Sequence, residues 1–265
     1  MGTVRYYARI YVMIVAQYVK ARMQYRLDFF VSTVAMLMAN AAGILFFWVL
    51  FKTIPRLSGW SYPELLFVYA YSLLSLTPLQ MFFDNVWQLK FHVQDGSFIR
   101  YYLKPLNMMF YYMSEVFDLK GLSHLFLGAG AMVYASAQLH LSWSPGKVVL
   151  LCLSVFSSAL VMISILIMSA SVSFWVLNSH YLTIFAYKLR DFAHYPLDVF
   201  NRPLQVLFSS VVPMGFIAYY PSQLFLRARG SLVPIVASPA VGVLLFVIAC
   251  GVWSLGTRKY AGTGS

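Results

Sequence analysis

From Phe29 to Phe51 the chain carries no charged side chain, and several later stretches come close to the same. Such a run matches the roughly 20 apolar residues that an α-helix needs to cross the hydrocarbon of a bilayer. Lipid offers the backbone no hydrogen-bonding partner, so a crossing segment must satisfy its own N–H and C=O groups, in a helix or a closed barrel. The apolar stretches here are continuous rather than alternating, which selects helices. Composition agrees: 61% of residues are hydrophobic and only 10% charged, against roughly 25% charged in a soluble domain. Aromatics at 18% suit a chain that meets two membrane–water interfaces. The expected fold is all-α and polytopic, a single transmembrane domain over residues 1–265 with six spans.

Residues 1–28 read as an amphipathic interfacial helix. Ile10, Tyr11, Ile14 and Tyr18 recur at helical spacing, and Arg5, Arg9, Lys20, Arg22 and Arg26 supply the wet side. The apolar stretch Ile10 to Ala16 is short and basic residues resume at Lys20, which does not fit a cleaved signal peptide. Spans are expected at about Phe29–Phe51, Pro63–Phe83, Gly121–Leu139 (its helix starting near Met113) and Val148–Leu177. A fifth starts near Pro203 and a sixth covers about Val233–Leu255. Asn178–Tyr195 reads as a surface helix. Pro213, Gly215 and Pro221 forbid a continuous helix from 203 to 229, so 214–232 is expected to be a re-entrant or outer-surface element. Ala35, Ala39 and Gly43 form a small-residue face for close helix approach. Ser157, Ser164 and Ser171, seven apart, share one face of the fourth span as either a packing seam or a conduit lining.

The net charge of +11 does not point to nucleic acid, because the basic residues sit in short segments between apolar runs. With both termini inside, thirteen Lys and Arg fall on inner segments and five (Lys52, Arg56, Lys147, Arg227, Arg229) on outer ones, the bias that defines cytoplasmic loops. An inside–inside chain crosses an even number of times, which six satisfies.

Catalytic patterns are missing. There is no GxxxxGK[ST], no HExxH, no GxSxG and no paired Cys/His set at metal spacing. Cys152 and Cys250 fall inside apolar runs as small core residues. The five histidines are scattered, and four are expected at interfaces as wetted polar residues. Glu115, Asp118 and Lys120 cluster before the third span, either as boundary charges or as a proton or ion relay. The segment 84–107 is the most informative. It mixes charge with aromatics on the cytoplasmic side, so its apolar residues must lie on lipid or dock into a partner's groove.

Three stretches resemble one family. They are VQDGSFIRYYLKPLN (Val93 to Asn107), HYPLDVFNRPLQVLFSSVVPMGFIAYYP (His194 to Pro221) and the tail GTRKYAGTGS. Together they are similar to the permease subunits of type-2 ABC exporters, in particular a bacterial subfamily of six-span permeases of about this length. One departure is visible: family members often carry an Asp about three residues after the loop glycine, where this chain has Ile99 and then Arg100. The resemblance implies a half-transporter in the bacterial cytoplasmic membrane. Two permeases, identical or paralogous, pair above two ABC ATPase subunits, which bind ATP and Mg; this chain itself holds no cofactor, metal or catalytic residue. It further implies coupling to the ATPase through Gln94, Asp95, Gly96, Ser97, Phe98, Arg100, Tyr101, Leu103, Lys104 and Pro105. Pro213, Gly215, Phe216 and Pro221 would shape a gate or outer exit. Two other readings remain open at the level of sequence: an ion-coupled carrier or channel acting without an ATPase, and a non-transporting membrane scaffold.

Overall fold

A computed structural model describes residues 2–176, 179–226 and 232–260, and every described element is helical. Helix α1 (Gly2–Gln24) ends at a break at Tyr25, and α2 (Arg26–Thr53) follows at once. Helix α3 (Tyr62–Phe82) starts cleanly because Pro63 sits in its first turn and the Glu64 carboxylate accepts from the Ser61 backbone N–H at 2.8 Å. Short pieces follow: a 3₁₀ turn Asp84–Gln88, α4 (Leu89–Gln94), a second 3₁₀ turn Ser97–Tyr101 and α5 (Met108–Ser114). Then come α6 (Gly121–Gln138), α7 (Pro145–Ser171, extended by Val172–Phe174) and α8 (His180–Leu189). After α8 the chain forms 3₁₀ turns Arg190–His194 and Leu197–Val199. It closes with α9 (Arg202–Val206, continued by a π turn Leu207–Val211), a 3₁₀ turn Met214–Phe216, α10 (Tyr219–Ser222) and α11 (Leu232–Lys259).

Among the described residues four helices are long and apolar enough to cross a membrane: Arg26–Thr53, Tyr62–Phe82, Pro145–Phe174 and Ile235–Lys259. Arg202–Val211 with Met214–Ser222 adds a fifth if that pair, bent by 71°, is taken as one span. Length and composition therefore support four or five crossings rather than the expected six. The third expected span falls short on composition rather than length: α6 has 18 residues but carries polar side chains such as His124, Ser136 and Gln138. Nor does its helix begin near Met113. The chain leaves α5 at Ser114 because the Asp118 carboxylate accepts from the Lys120 N–H at 3.0 Å, a local bond that competes with the helix. Arg227 and Arg229, counted among the outer charges, lie outside the described residues, as do the join of Leu177 to Asn178 and residues 227–231 of the expected 214–232 element.

Helix α3 is the axis of the bundle. Leu65, Phe67, Val68, Ala70, Tyr71 and Leu73 are all fully buried, on every side of the helix. It lies against α6, where Gly128 admits the α3 backbone closely, and against α7, where the Tyr71 and Ser158 hydroxyls are 3.2 Å apart. Helix α2 contrasts with it. Only Phe47 on α2 is buried, and Phe30, Phe46 and Trp48 are exposed. Of its small-residue face only Gly43 is seen against α3, at the Tyr69 ring, whose hydroxyl donates to the Asn40 carbonyl at 2.8 Å; Ala35 and Ala39 are exposed.

Helices α7 and α11 touch along their length and run the same way. Ser157 donates to the Pro239 carbonyl, and further along both helices Phe174 meets Trp253. Pro239 removes an N–H inside α11 and so frees the Ile235 carbonyl, which accepts instead from the Ser238 hydroxyl at 2.8 Å. Two parallel neighbours require the chain between them to cross back once. Residues 180–199 make that passage. His180 packs against Trp87 and Phe91 at the end of the bundle holding α4, His194 reaches Ser72 midway along α3, and Asp198 accepts from Trp60 at the opposite end. The expected surface element at 178–195 is helical over His180–Leu189, with Tyr181, Phe185 and Lys188 exposed. Helix α8 packs its other face on α7, and only the turn Arg190–His194 packs on α3, where His194 turns inward to Ser72.

Gly242 lies so close to the backbone of Ser157 that any side chain there collides with it. Gly242→Ala is expected to force α11 off α7 and to cost about 1–3 kcal/mol, read as a lower melting temperature in detergent. Gly130→Ala, with nothing within 4 Å of the new carbon, is expected to leave it unchanged.

Candidate functional site

Two features combine unusual chemistry with a defined place in the fold: the segment 84–107 and a polar cavity beside α3. The segment is held at the base of the bundle by aromatic rings. Phe98 is fully buried, and its ring centroid lies 5.1 Å from those of Tyr101 and Phe174 and 5.4 Å from that of Tyr260. Such edge contacts contribute about 0.5–1.5 kcal/mol per pair beyond simple burial. Gly96 adopts φ 74°, which favours glycine, and its carbonyl accepts from the Tyr260 hydroxyl at 3.1 Å. Tyr102 donates to the Thr257 carbonyl near the end of α11. The segment is thereby fastened to the ends of both α7 and α11.

The ten residues expected to couple to an ATPase divide into two groups. Phe98 and Tyr101 are buried, and Gly96, Ser97 and Asp95 build the turn, with the Asp95 carboxylate accepting from the Ser97 N–H at 2.9 Å. The Ser97 hydroxyl and then its N–H hold the Asp95 carboxyl below the usual carboxylate range. Arg100 lies 3.0 Å from Glu115 and donates to the Tyr101 hydroxyl at 2.6 Å, while Tyr101 itself donates to Glu115. That triad braces the segment against the 115–120 loop. Leu103, at 77% exposure, stands out from the bundle together with Lys104 and Pro105, and Phe91 and Ile99 are also exposed. Gln94 is half-buried at the end of α4. His92 sits beside Ser97, its Nδ1 at 2.9 Å from the hydroxyl, and burial followed by the Arg100 charge pushes its pKa down.

The cavity, of about 470 Å³, lies between α2, α3, α6 and the turn Arg190–His194. Its walls include Ala39, Gly43 and Phe46 but also Asn40, Tyr69, His124, Arg190, Asp191 and His194. Ser72 Oγ and His194 Nδ1 are 2.6 Å apart, and the Tyr69 ring faces the imidazole at 4.9 Å. His124 is 4% exposed, and neither its Nδ1 nor the Asn40 amide nitrogen has a hydrogen-bond partner among the described residues. Leaving such a buried group unpaired costs about 1–3 kcal/mol. A larger cleft of about 710 Å³ opens between α1, α5 and α11, and its lining is mainly apolar and aromatic.

The remaining expected residues lie apart from both features. Ser157 of α7 is buried against α11, and Ser164 and Ser171 donate to carbonyls of their own helix; none of the three borders either cavity. Gly215, Phe216 and Pro221 are buried near Leu197 and Tyr220, with Pro213 at the bend. Among the described residues no group of three His, Cys, Asp or Glu side chains assembles a metal site. Sequence reading placed His124 and His194 at wet interfaces and did not single out Asn40, Arg190 or Asp191. The available signal was Asn40, the sole amide side chain in the charge-free run 29–51.

A bundle of apolar helices is thus fastened at one end to a loop that projects apolar and basic side chains. The family profile described as ABC-2 family transporter protein matches residues 37–264. The chain belongs to that family, whose members are membrane permeases of ABC transporters and work with ABC ATPase partners. No match to a curated protein or to a solved structure accompanies it.

The direction of the His92 shift sets a pH dependence. Its folded pKa lies below the unfolded value of about 6.5, so its contribution is intact above that pH and is lost as pH falls toward the folded value. Hydrogen exchange of amides 95–102, corrected for intrinsic rates, is expected to quicken between pH 7.5 and 5.5. His92→Gln is expected to flatten that change.

Proposed function

We propose that this chain is one permease half of an ATP-driven exporter in the bacterial cytoplasmic membrane, crossing six times with both termini cytoplasmic. The six crossings are α2, α3, α6, α7, the segment 180–199 and α11. Residues 180–199 have the reach for this: ten residues of α8 and five of the following 3₁₀ turn span about 25 Å at ~1.5 and ~2.0 Å per residue. The bent pair 202–222 then lies at the outer end, where Pro213, Gly215, Phe216 and Pro221 shape the exit. The permease pairs with a second copy or a paralogue, and separate ATPase subunits bind ATP and Mg beneath the pair.

The observation that carries this reading is the split character of the segment 84–107. Phe98 and Tyr102 lock it to α7 and α11, while Leu103, Lys104 and Pro105 face outward. A push on the outward face by closing ATPase subunits reaches two parallel helices together, because the ring cluster joins them rigidly. The permease pair then rocks and releases an apolar or amphipathic substrate outward.

Copurification of the tagged chain from its native membrane in a mild detergent is expected to bring an ATPase with a Walker motif. Leu103→Glu with Lys104→Glu is expected to keep expression and melting temperature but to abolish stimulation of that ATPase and transport. Unchanged coupling in the double variant, or ATP-independent flux by the chain alone in liposomes, would sink the assignment. For topology, single cysteines at Tyr181 and Asn201, with Cys152 and Cys250 replaced, are expected to react with impermeant maleimides from opposite sides; labelling from one side would remove 180–199 as a crossing.

A further inference from the structure

We propose that the cavity beside α3 binds the anionic headgroup of an amphiphile, whose apolar tail lies between α2 and the rest of the bundle; as a statement about cargo, this rests on the permease reading above.

Position is the first argument. Asn40 falls midway along α2 and Ser72, which holds His194, midway along α3. The polar groups therefore gather near the centre of the two helices, where polar side chains are costly unless they line a cavity or meet a partner. His124 and Asn40 bring nitrogens that no described residue satisfies. In a lipid setting such groups call for a polar occupant.

The sign of that occupant follows from the donor inventory. Arg190 forms an ion pair with Asp191, Nε to Oδ1 at 3.7 Å, and keeps its guanidinium donors for other partners. Its side chain is 25% exposed and that of Asp191 is 60% exposed, so the cation sits inward and the carboxylate turns out. The Asn40 amide adds two donors and the His124 imidazole one, whereas His194 spends its N–H on Ser72, whose own proton goes to the Tyr69 carbonyl. The inner wall thus offers an excess of donors around one cation, which suits a carboxylate or a phosphate and repels an ammonium.

The tail has a place to go. The cavity wall on α2 is made of small and apolar side chains, and that helix is the least buried of the long ones. An alkyl chain leaving the cavity beside Phe46, itself 55% exposed, enters lipid without crossing the polar wall.

The test uses the full chain in nanodiscs of phosphatidylcholine, without ATP or ATPase, so that loss of ATPase coupling and loss of this site are separate results. Dodecyl phosphate and laurate are compared with dodecyltrimethylammonium and dodecanol by native mass spectrometry. Saturable binding of one anionic molecule per chain, about tenfold or more tighter than the cationic and neutral probes, is expected. Arg190→Gln is expected to erase that preference. Asp191→Asn removes the competing carboxylate and is expected to tighten anion binding, a gain that misfolding cannot produce. A diazirine-tagged dodecyl phosphate is expected to label residues 36–47. Phosphatidylglycerol that displaces the probe identifies the occupant as a membrane lipid, and failure to displace it identifies a single-chain amphiphile. Equal affinity for all four probes, or an Asp191→Asn variant that binds no better, overturns the proposal and leaves the cavity as a water-filled space.

Discussion

Two helices that lie side by side and point the same way force the chain between them to cross back, and α7 with α11 impose that demand here. Their contact depends on Gly242, which allows the backbone of α11 to meet Ser157, and on Ser238, which satisfies the carbonyl left open by Pro239. With both helices running toward the α4 end, residues 180–199 have to return to the other end. Helix α8 runs against α7, and the turn Arg190–His194 packs on α3, the most buried helix. The His194–Ser72 contact, the Asp198 bonds to Trp60 and Tyr219, and the bend after α9 are all consequences of that return.

The ends of the same two helices carry the aromatic cluster. Phe174 ends α7, and Trp253 and Tyr260 belong to the end of α11, so a ring placed among them is tied to both. Phe98 is that ring. The consequence is mechanical: the segment 84–107 is a short folded block fastened by its rings. Its inner side is as buried as the bundle core, and its outer side offers Leu103 and Lys104. A block of this kind transmits displacement, whereas a flexible loop dissipates it.

The polar cavity shows the other effect of the return passage. A chain carrying Arg190, Asp191 and His194 across the bundle brings ionisable groups to the level where the flanking helices are most apolar. There they meet His124 and Asn40 from two different helices. The weak packing of α2 leaves one wall of the cavity thin.

Much was legible in the residues themselves. Continuous apolar runs and the scarcity of charge determined a helical membrane protein, because lipid leaves the backbone no other partner. The break at Pro213 was visible for the same reason, since proline supplies no N–H, whereas Pro221 sits inside α10. The short segment between the second and third apolar runs announced itself by mixing charge with rings. What sequence could not determine was which polar residues are wet. His194 and Arg190 stand in a stretch as polar as a surface helix, and only the parallel contact of α7 with α11, made by residues far away in the chain, sends that stretch through the bundle. Likewise Phe98 and Leu103 are both apolar members of one loop. Their opposite fates, anchor and outward face, were decided by where Phe174, Trp253 and Tyr260 end in space. Local composition sets the solvent a segment tolerates; long-range packing decides the neighbours it receives.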